Sequence, residues 1–436
     1  MIASSVQDLE YTPFSFSEDP REYKQAQKID SDSGNEPAPL SPSDRRPQVI
    51  AEANKVLISS YGAVGIDEHL TGLDYFHEVI PKVTRYHNLQ HIGFSEDSVV
   101  FQTNWLDGLS VQTGVLKCVF DFICSYDSVV YEHLSQGKSI EHLGYSEASE
   151  ICLLKYAFLH KTDNWCEPLD ICYLLEIRKT YVRRWFCVVL PLYPYTFHSI
   201  LIDSLYIRQR KKMILQLSRA VYSLHKIGYY HGDLKPKNIC CDALADVCLI
   251  DFGTSNKVSN TSSSNWIKNT YGYFSPIQCY NHLIQESIPN VVSKLPKELI
   301  QELKRSLGKK KISVYIYATP EMARPIEYIP EHGFSNDLFV IGILMSFLFD
   351  TTYQHFFLKR NKKNQHIDDF LELVIHNIIL FVEKPKTYIN DYYKQVSFPY
   401  FLRDAFEFCI GQWNVRPDKV TLENTSQKLE QMMSVL

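Results

Sequence analysis

The spacing of hydrophobic residues predicts strands in one part of this chain and helices in the next. Two short apolar runs, Ile171–Ile177 and Phe186–Leu190, flank the basic stretch Arg178–Arg184, and this pattern predicts a β-hairpin. Downstream, apolar residues recur every three or four positions and predict a helix with one buried stripe, formed by Ile214, Leu217, Val221 and Leu224. A later block, Leu338–Phe349, is apolar on every helical face and therefore predicts a buried helix.

Between the helical stripe and the buried block, polar residues stand at short fixed spacings. Asp233, Lys235 and Asn238 follow one another within six positions, and Asp251 comes 18 positions after Asp233 at the end of an apolar run. A phosphoryl transfer needs groups of this kind, because its catalysis consists mainly of positioning the acceptor and neutralising phosphate charge.

Each of these four side chains suits one part of such a reaction. Asp233 is suited to accept the proton of the acceptor hydroxyl. Lys235 carries a mobile point charge for the transferred phosphoryl group. Asn238 and Asp251 offer the hard oxygen ligands that Mg²⁺ prefers. The sequence therefore predicts Asp233 and Lys235 as catalytic residues and a magnesium site at Asn238 and Asp251.

The same stretch resembles the protein kinase superfamily, whose catalytic loop reads H-R-D-L-K-P-x-N and whose metal loop reads D-F-G. Here the two loops read HGDLKPKN from His231 and DFG from Asp251. Gly232 stands where most members have arginine. This departure keeps a second family open, because small-molecule phosphotransferases similar to aminoglycoside and choline kinases also carry an HGD loop.

The kinase resemblance implies ATP and Mg²⁺ as cofactors and a phosphate-covering loop ahead of the catalytic stretch. Residues Ile92–Phe101 align with the pattern G-x-G-x-x-G-x-V, with serine in place of the second and third glycines. The aligned positions are Gly93, Ser95, Ser98 and Val100. Glycine in such a loop lets backbone amides approach phosphate closely, and serine is the next smallest polar residue. The stretch Ser60–Gly65 is an alternative candidate.

The resemblance also implies a lysine on the α- and β-phosphates, held in place by an acid from a helix. Lys117 lies among alternating apolar residues, 17 positions beyond the valine of the phosphate-covering loop, and is the expected lysine. Lys82 is the alternative. Glu150 opens the run E-I-C-L-L-K, which resembles the corresponding helix, and Glu147 and Glu132 stay open as other choices.

The predicted hairpin ends at Leu190-Pro191-Leu192, where the resemblance places the hinge between two lobes. Adenine would bind backbone groups there, so Leu190 and Leu192 are expected nucleotide contacts. The fold implied is α+β: a two-lobed protein-kinase-like fold with a small β-rich N-lobe and a larger α-helical C-lobe. The expected N-lobe is 92–190 and the expected C-lobe is 191–436.

Two segments precede the expected N-lobe, and one insertion interrupts the C-lobe. Residues 1–48 are rich in Ser, Pro, Asp and Glu with little apolar periodicity, which predicts a disordered tail. Residues 49–91 have mixed composition and are expected to form a folded extension. The amphipathic, charged run LPKELIQELKRSLGKKK predicts an activation-segment insertion at about 278–312.

Two places match the end of a kinase activation segment. Ser275-Pro276-Ile277 resembles the A-P-E motif but has isoleucine where glutamate is usual, whereas Glu321 supplies the glutamate 70 residues after the metal-loop aspartate. Glu321 is favoured, because Asp337 follows it in a block that resembles the long central helix of the C-lobe. The resemblance implies that Asp337 braces the catalytic loop and that Arg416 meets Glu321.

These C-terminal motifs favour a protein kinase over a small-molecule phosphotransferase. Lys235, two residues after the catalytic acid, is typical of serine/threonine-specific members. The sequence therefore predicts a serine/threonine protein kinase that transfers the γ-phosphoryl group of ATP to protein hydroxyls. A pseudokinase scaffold stays open as an alternative, because the phosphate-covering loop is poor in glycine.

The composition limits the classes of binding partner and the cellular compartment that we expect for this chain. A net charge of −5 and a pI near 6.3 disfavour direct nucleic-acid binding, which usually needs a basic excess. The eleven cysteines lack paired CxxC spacing and are expected to be reduced, as in an intracellular protein. The 12-residue apolar block is shorter than the roughly 20 residues of a membrane span. We therefore expect a soluble protein that does not bind a membrane, and the kinase resemblance implies protein substrates.

Several departures resemble virus-encoded kinases, above all the conserved herpesvirus protein kinase group. They are the predicted disordered head, the degenerate glycine loop, Gly232 and the expanded activation segment. This resemblance implies viral and host protein substrates and a location in the host nucleus and the virion tegument. The basic residues Lys304-Arg305 and Lys309–Lys311 fit either a nuclear import signal or a solvated helix face.

Overall fold

The computed structural model describes the parts of the chain that carry most of the predicted motifs. The described residues are 62–65, 73, 76–77, 80–81, 86–95, 98–107, 110–125, 128, 130, 148–177, 181–200, 202–257, 273–284, 296–309, 332–349, 356–358, 369–396, 398–414, 427–429 and 431–432. The chain divides into two compact units, and the division falls after Leu190. The segment Ala148–Pro168 groups with the second unit. The predicted tail, residues 1–48, lies outside the described residues.

The first unit is built on a six-stranded sheet. Its strands are β1 (Gly62–Gly65), β2 (Tyr86–Ser95), β3 (Ser98–Asp107), β4 (Ser110–Ser125), β5 (Asp170–Ile177) and β6 (Tyr181–Pro191). Their order across the sheet is β1-β5-β6-β4-β3-β2. β5 and β6 pair antiparallel, which confirms the predicted hairpin. β6 begins at Tyr181, however, so Arg183 and Arg184 belong to the strand and not to the turn that the basic stretch predicted.

The strand register relates the predicted phosphate-covering loop to the predicted ATP lysine. Gly93 on β2 lies opposite Val100 on β3, and Val100 lies opposite Lys117 on β4. Along β4, Leu116 and Cys118 are fully buried while Lys117 between them is half-buried, as the alternation of a strand requires. Residues Gly62–Gly65 of the alternative loop form β1, at the opposite edge of the sheet from β2.

The second unit is mainly helical. The helices in its described part are α1 (Ser149–Leu159), α2 (Ile207–Lys226), α3 (Pro276–Ile284), α4 (Lys297–Lys309), α5 (His332–Phe349), α6 (Phe370–Glu383), α7 (Pro385–Gln395) and α8 (Arg403–Gly411). A small sheet has the order β10-β9-β7, from β7 (Tyr195–Thr196), β9 (Ile239–Cys241) and β10 (Val247–Leu249). β8 (Tyr229–Tyr230) pairs antiparallel with β11 (Asn256–Lys257).

Two helices form where the hydrophobic pattern predicts them. The four apolar residues of the predicted stripe on α2 are all fully buried. α5 is buried on nearly every side, which confirms the prediction made from its apolar block, and it packs against α2 and α8. Burial on every side explains why this helix carries so few charged residues.

The segment Ala148–Pro168, which falls inside the expected N-lobe, groups with the second unit and is hydrogen-bonded to its elements. The indole nitrogen of buried Trp165 donates to the Ala220 carbonyl on α2 at 2.8 Å. The backbone N–H of Cys166 donates to the carbonyl of Leu249 on β10 at 3.0 Å. These bonds explain the grouping, because they attach the chain that follows α1 to elements of the second unit.

Residues Lys297–Lys309 of the charged run predicted as an insertion form α4. Leu299, Leu303 and Leu307 are buried where this helix packs against α3 and α6, whereas Arg305 is exposed. The Ser306 hydroxyl donates to the Glu383 carboxylate at 3.0 Å. The amphipathic pattern therefore gives α4 a buried apolar face and an exposed face that carries Arg305.

Several residues singled out in the sequence lie outside the described residues. They are Lys82, Glu132, Glu147, Lys310, Lys311, Glu321 and Arg416. In the described part of the chain, no helix combines the length and apolar character needed to cross a membrane.

Candidate active site

The predicted catalytic loop begins directly after β8, and α5 supports its backbone. The buried carboxylate of Asp337 accepts hydrogen bonds from the N–H of His231 at 2.7 Å and of Gly232 at 3.1 Å. His225, in the last turn of α2, contacts the same carboxylate through Nε2 at 3.1 Å. Asp337 therefore braces the loop, as the resemblance implied.

Burial keeps His225 uncharged in this arrangement. Desolvation lowers its pKa below the ordinary value, against the smaller opposing effect of the hydrogen bond to Asp337. A neutral imidazole that donates from Nε2 satisfies the carboxylate without placing a second charge in the core. Three donors from two elements thus converge on one buried carboxylate.

Asp233, Lys235 and Asn238 form one contact group at the end of this loop. Asp233 is only 6% exposed, and its Oδ2 lies 2.5 Å from Nζ of Lys235. Nδ2 of Asn238 donates to the Asp233 backbone oxygen at 2.9 Å and lies 3.4 Å from its Oδ2. The structure therefore brings together the three residues that the spacing singled out.

A short hairpin connects Asn238 to Asp251. β9 follows Asn238, β10 ends two residues before Asp251, and the N–H of Ile250 donates to the Asn238 carbonyl at 3.0 Å. The Asp251 side chain is exposed and its backbone has a φ of 64°, which is uncommon for a residue other than glycine. Phe252 next to it is fully buried. The hairpin thus presents Asp251 outward while Phe252 anchors the loop.

The His231 ring links the catalytic loop to this hairpin. Its Nδ1 accepts a hydrogen bond from the N–H of Asp233 at 3.3 Å, so the proton of the neutral ring belongs on Nε2. Nε2 then donates to the Ile250 carbonyl at 3.1 Å. The ring also packs on Phe252, with centroids 5.6 Å apart.

Glu150, predicted as the acid of the ATP lysine, lies beside the metal loop. It is buried in the first turn of α1. A Cβ atom added to Gly253 would be 3.5 Å from Glu150 Oε2 and 3.5 Å from Asp251 Oδ1. A side chain at position 253 would therefore contact both carboxylates.

Asn238 and Asp251 suit a magnesium ion by the chemistry of their atoms. Because Nδ2 of Asn238 donates to Asp233, its Oδ1 is the side-chain atom suited to a cation. Mg²⁺ is usually bound by one or two carboxylates together with substrate phosphates and water. Among the described residues, no group of three or more His, Cys, Asp or Glu side chains could hold a metal ion. Asn238 Oδ1 and the Asp251 carboxylate would supply two ligands, and phosphate oxygens and water would complete the coordination of the ion.

The remaining predicted nucleotide contacts occupy varied positions. Gly93 is half-buried on β2, and Ser98 is buried at the start of β3. Leu190 is buried and its carbonyl would meet a Cβ added to Gly114 at 2.8 Å, whereas Leu192 is exposed. Ser95 ends β2. The roles of these residues stay predictions.

Sequence reasoning missed the polar contact that holds the first candidate for the end of the activation segment. Asn336 Oδ1 accepts from the N–H of Ser275 at 2.7 Å, and α3 begins at the next residue, Pro276. In the sequence, the only indication of this contact was that Asn336 directly precedes Asp337. The Ser275-Pro276 candidate is therefore anchored on α5, whereas the favoured Glu321 lies outside the described residues.

Comparison with known proteins supports a kinase assignment for this site. The family model described as a protein kinase domain matches residues 170–284, about a quarter of the chain, including both the catalytic and the metal loop. The described sheet-rich and helical units are compatible with a two-lobed kinase fold. The match and the serine/threonine kinase relatives below support the protein kinase superfamily.

Curated relatives match over short segments. The serine/threonine-protein kinase mos of Patiria pectinifera is 36% identical over 81 residues, 17% of this chain and 23% of that protein. The serine/threonine-protein kinase SKS1 of Saccharomyces cerevisiae is 33% identical over 91 residues, 20% of this chain and 18% of that protein. CBL-interacting protein kinase 21 of Oryza sativa is 32% identical over 89 residues, 20% of this chain and 17% of that protein. The chain thus spans less than a quarter of the length of these relatives.

Proposed function

We propose that this chain is a serine/threonine protein kinase that transfers the γ-phosphoryl group of ATP, with Mg²⁺, to protein hydroxyls. The observation that carries the proposal is the contact group at the catalytic loop. Asp233 Oδ2 lies 2.5 Å from Lys235 Nζ, and Asn238 fixes the Asp233 backbone and leads through one hairpin to Asp251. These contacts hold the proposed base beside a cation and connect it through one hairpin to the second proposed metal ligand.

The roles follow from the chemistry of each group. Asp233 orients the acceptor hydroxyl and takes its proton, and Lys235 beside it offsets negative charge on the transferred group. Asn238 Oδ1 and Asp251 would hold the metal. When bound there, Mg²⁺ would neutralise phosphate charge. Because phosphoryl transfer depends on positioning and charge, no covalent enzyme intermediate is required.

The nucleotide contacts are part of the same proposal. Lys117 is assigned to the α- and β-phosphates and Glu150 to the positioning of that lysine. Gly93, Ser95, Ser98 and Val100 are assigned to the phosphate-covering loop. The direct register between Val100 and Lys117 supports this choice of loop, because adjacent strands carry both residues. Leu190 and Leu192 are assigned to the adenine-binding segment.

Serine/threonine specificity and the class of substrate are supported by sequence features. Lys235 is typical of serine/threonine-specific kinases, and the relatives named above carry that description. The departures shared with herpesvirus protein kinases support viral and host proteins as substrates and a nuclear and virion location. Localisation of tagged protein in infected cells, together with analysis of purified virions, tests that part of the proposal.

The decisive experiment incubates the purified protein with γ-labelled ATP, Mg²⁺ and separate acceptors. The acceptors are a basic protein, an acidic protein and a panel of amino alcohols and aminoglycosides. We expect label on serine and threonine of a protein acceptor, and no label with Lys117→Met. Label on small molecules alone would establish the small-molecule phosphotransferase, and no transfer to any acceptor would favour the pseudokinase scaffold.

A further inference from the structure

Two hydroxyl groups of the metal loop converge on one carbonyl of the catalytic loop. The Thr254 hydroxyl donates to the His231 carbonyl oxygen at 3.0 Å, and the Ser255 hydroxyl donates to the same oxygen at 3.2 Å. Thr254 is half-buried and Ser255 is 2% exposed, so the shared acceptor is shielded from water. A hydrogen bond in such low-dielectric surroundings is electrostatically stronger than one in water.

The accepting carbonyl stands two residues before the proposed base. His231 is followed by Gly232 and Asp233, and the N–H of Asp233 returns to the His231 ring. The hydroxyl donors are only three and four residues beyond Asp251. These two bonds therefore connect the residues that lead to Asp233 with those that follow Asp251.

Backbone contacts reinforce the same junction. Asn256 pairs with Tyr230 in the β8–β11 ladder, directly beside the hydroxyl bonds. Gly232 approaches Thr254 so closely that an added Cβ would lie 2.9 Å from the Thr254 carbonyl oxygen. The two loops are thus joined by uncharged groups at the position where most kinases carry an arginine.

We propose that Thr254 and Ser255 are positioning residues that fasten the metal loop to the catalytic loop. Their hydroxyls hold the His231 carbonyl, and this keeps Asp233 and Asp251 in a fixed relation throughout turnover. The pair supplies an uncharged connection that needs no phosphate to form. The kinetic consequence rests on the proposed kinase function, whereas the structural consequence does not.

The test removes each hydroxyl with little change in shape. Thr254→Val keeps the branched side chain, Ser255→Ala removes one oxygen, and the double variant removes both donors. Thr254→Ser retains the hydroxyl and is the rescue variant. Ser218→Ala is the matched control, because Ser218 is also a buried serine whose hydroxyl donates to a backbone carbonyl, that of Ile214, at 2.8 Å.

Two measurements are made on every variant. The first is the split between kcat and KM for ATP in the transfer assay. We expect the double variant to lose about tenfold in kcat, with KM for ATP changed less than about twofold, because two neutral hydrogen bonds of ordinary strength are lost away from the nucleotide. Thr254→Ser and Ser218→Ala should keep the wild-type kcat.

The second measurement is amide hydrogen exchange at Gly232 and Asp233, which needs no activity. We expect both amides to exchange about tenfold faster in the double variant and at the wild-type rate in Ser218→Ala. Wild-type exchange in the double variant would overturn the proposal, as would an equal kcat loss in Ser218→Ala. Absence of transfer by the wild-type protein would instead refute the proposed function, and the exchange rates would still decide the positioning role.

Discussion

Gly232 has a left-handed backbone and a close neighbour, and the two constraints are separable. Its φ is 80°, and an added Cβ would lie 2.9 Å from the Thr254 carbonyl oxygen. Gly228, in the turn before β8, has a φ of 83° but no heavy atom within 4 Å of an added Cβ. The pair therefore offers the same dihedral strain with and without a steric clash.

The first prediction compares alanine at these two glycines. Gly228→Ala should lower the free energy of unfolding by about 1 to 2 kcal/mol through the dihedral alone. Gly232→Ala should lower it by about 3 kcal/mol, since overpacking against a backbone oxygen adds to the strain. It should also abolish transfer, because the shift moves Asp233. Urea denaturation and the transfer assay measure both effects.

Equal destabilisation by the two substitutions would contradict this account of Gly232. The same geometry bears on the arginine found here in most kinases. Any larger side chain meets the same backbone oxygen, so we expect Gly232→Arg to lose activity as well.

At the scale of elements, the catalytic loop is held between α2 and α5. α2 contributes His225 and α5 contributes Asp337, and the loop backbone donates to the same carboxylate. The His225 ring also meets the Phe334 ring edge-on, with centroids 4.3 Å apart. A change of charge on His225 would therefore disturb the support of the active site directly.

The second prediction concerns pH. The folded state holds the pKa of His225 below its ordinary value of about 6.5, so in acid the unfolded chain takes up a proton that the folded chain does not. This contribution to stability is complete above about pH 6.5 and is lost as the pH falls. The loss of this contribution should lower the free energy of unfolding by up to about 1.4 kcal/mol for each unit by which the pH falls. Chemical denaturation from pH 8 to pH 5 measures the slope.

His225→Gln keeps a side-chain donor for Asp337 and should flatten the pH dependence. His198→Gln, at an exposed histidine, is the matched control and should keep the wild-type slope. If the wild type and His225→Gln show parallel profiles, the burial of His225 has no part in acid sensitivity.

The elements that the sequence predicted best are those whose hydrophobic pattern fits only one type of secondary structure. The stripe on α2, the apolar block of α5 and the β5–β6 hairpin form where the hydrophobic patterns indicated them, although β6 begins inside the predicted basic turn, at Tyr181. The Asp233, Lys235 and Asn238 group was predictable because all three lie within one short loop, so spacing along the chain approximates distance in space.

Contacts between distant segments could not be read from the sequence in the same way. Asn336 holds Ser275 across 61 positions, and the segment after α1 attaches to β10 through single backbone bonds. Thr254 and Ser255 are ordinary small polar residues after the metal loop, and only the fold shows that both reach His231. Hydrophobic periodicity predicts which residues are buried, but it does not predict which distant residue each of them contacts.

At the scale of the whole molecule, uncharged groups connect the catalytic loop with the metal loop in the described part of the chain. Gly232 provides no positive charge, and the hydroxyls of Thr254 and Ser255 join the loops instead. In charge-pairing switches, phosphorylation orders a segment by satisfying a cation. We therefore expect basal activity to be independent of phosphate on the activation segment.

The third prediction concerns phosphorylation of the activation segment. Phosphatase-treated protein, and a variant with Ser262, Ser263 and Ser264 changed to alanine, should retain initial rates within about twofold of the untreated protein. Thr270→Val is tested separately, since a threonine at this place in related kinases can bond the catalytic aspartate and lysine directly. A large loss on dephosphorylation that rephosphorylation restores would show that another cation serves in place of the arginine.

The most direct test of the central claim measures nucleotide affinity and transfer rate side by side in Asp233→Asn and Asp251→Asn. If Asp233 is the base, Asp233→Asn should bind Mg·ATP within about twofold of the wild type while its initial rate falls at least about a hundredfold. If Asp251 holds the metal, its substitution should weaken Mg²⁺-dependent ATP binding by about tenfold or more. Equal losses of affinity in the two variants, or a wild-type rate in Asp233→Asn, would contradict the account.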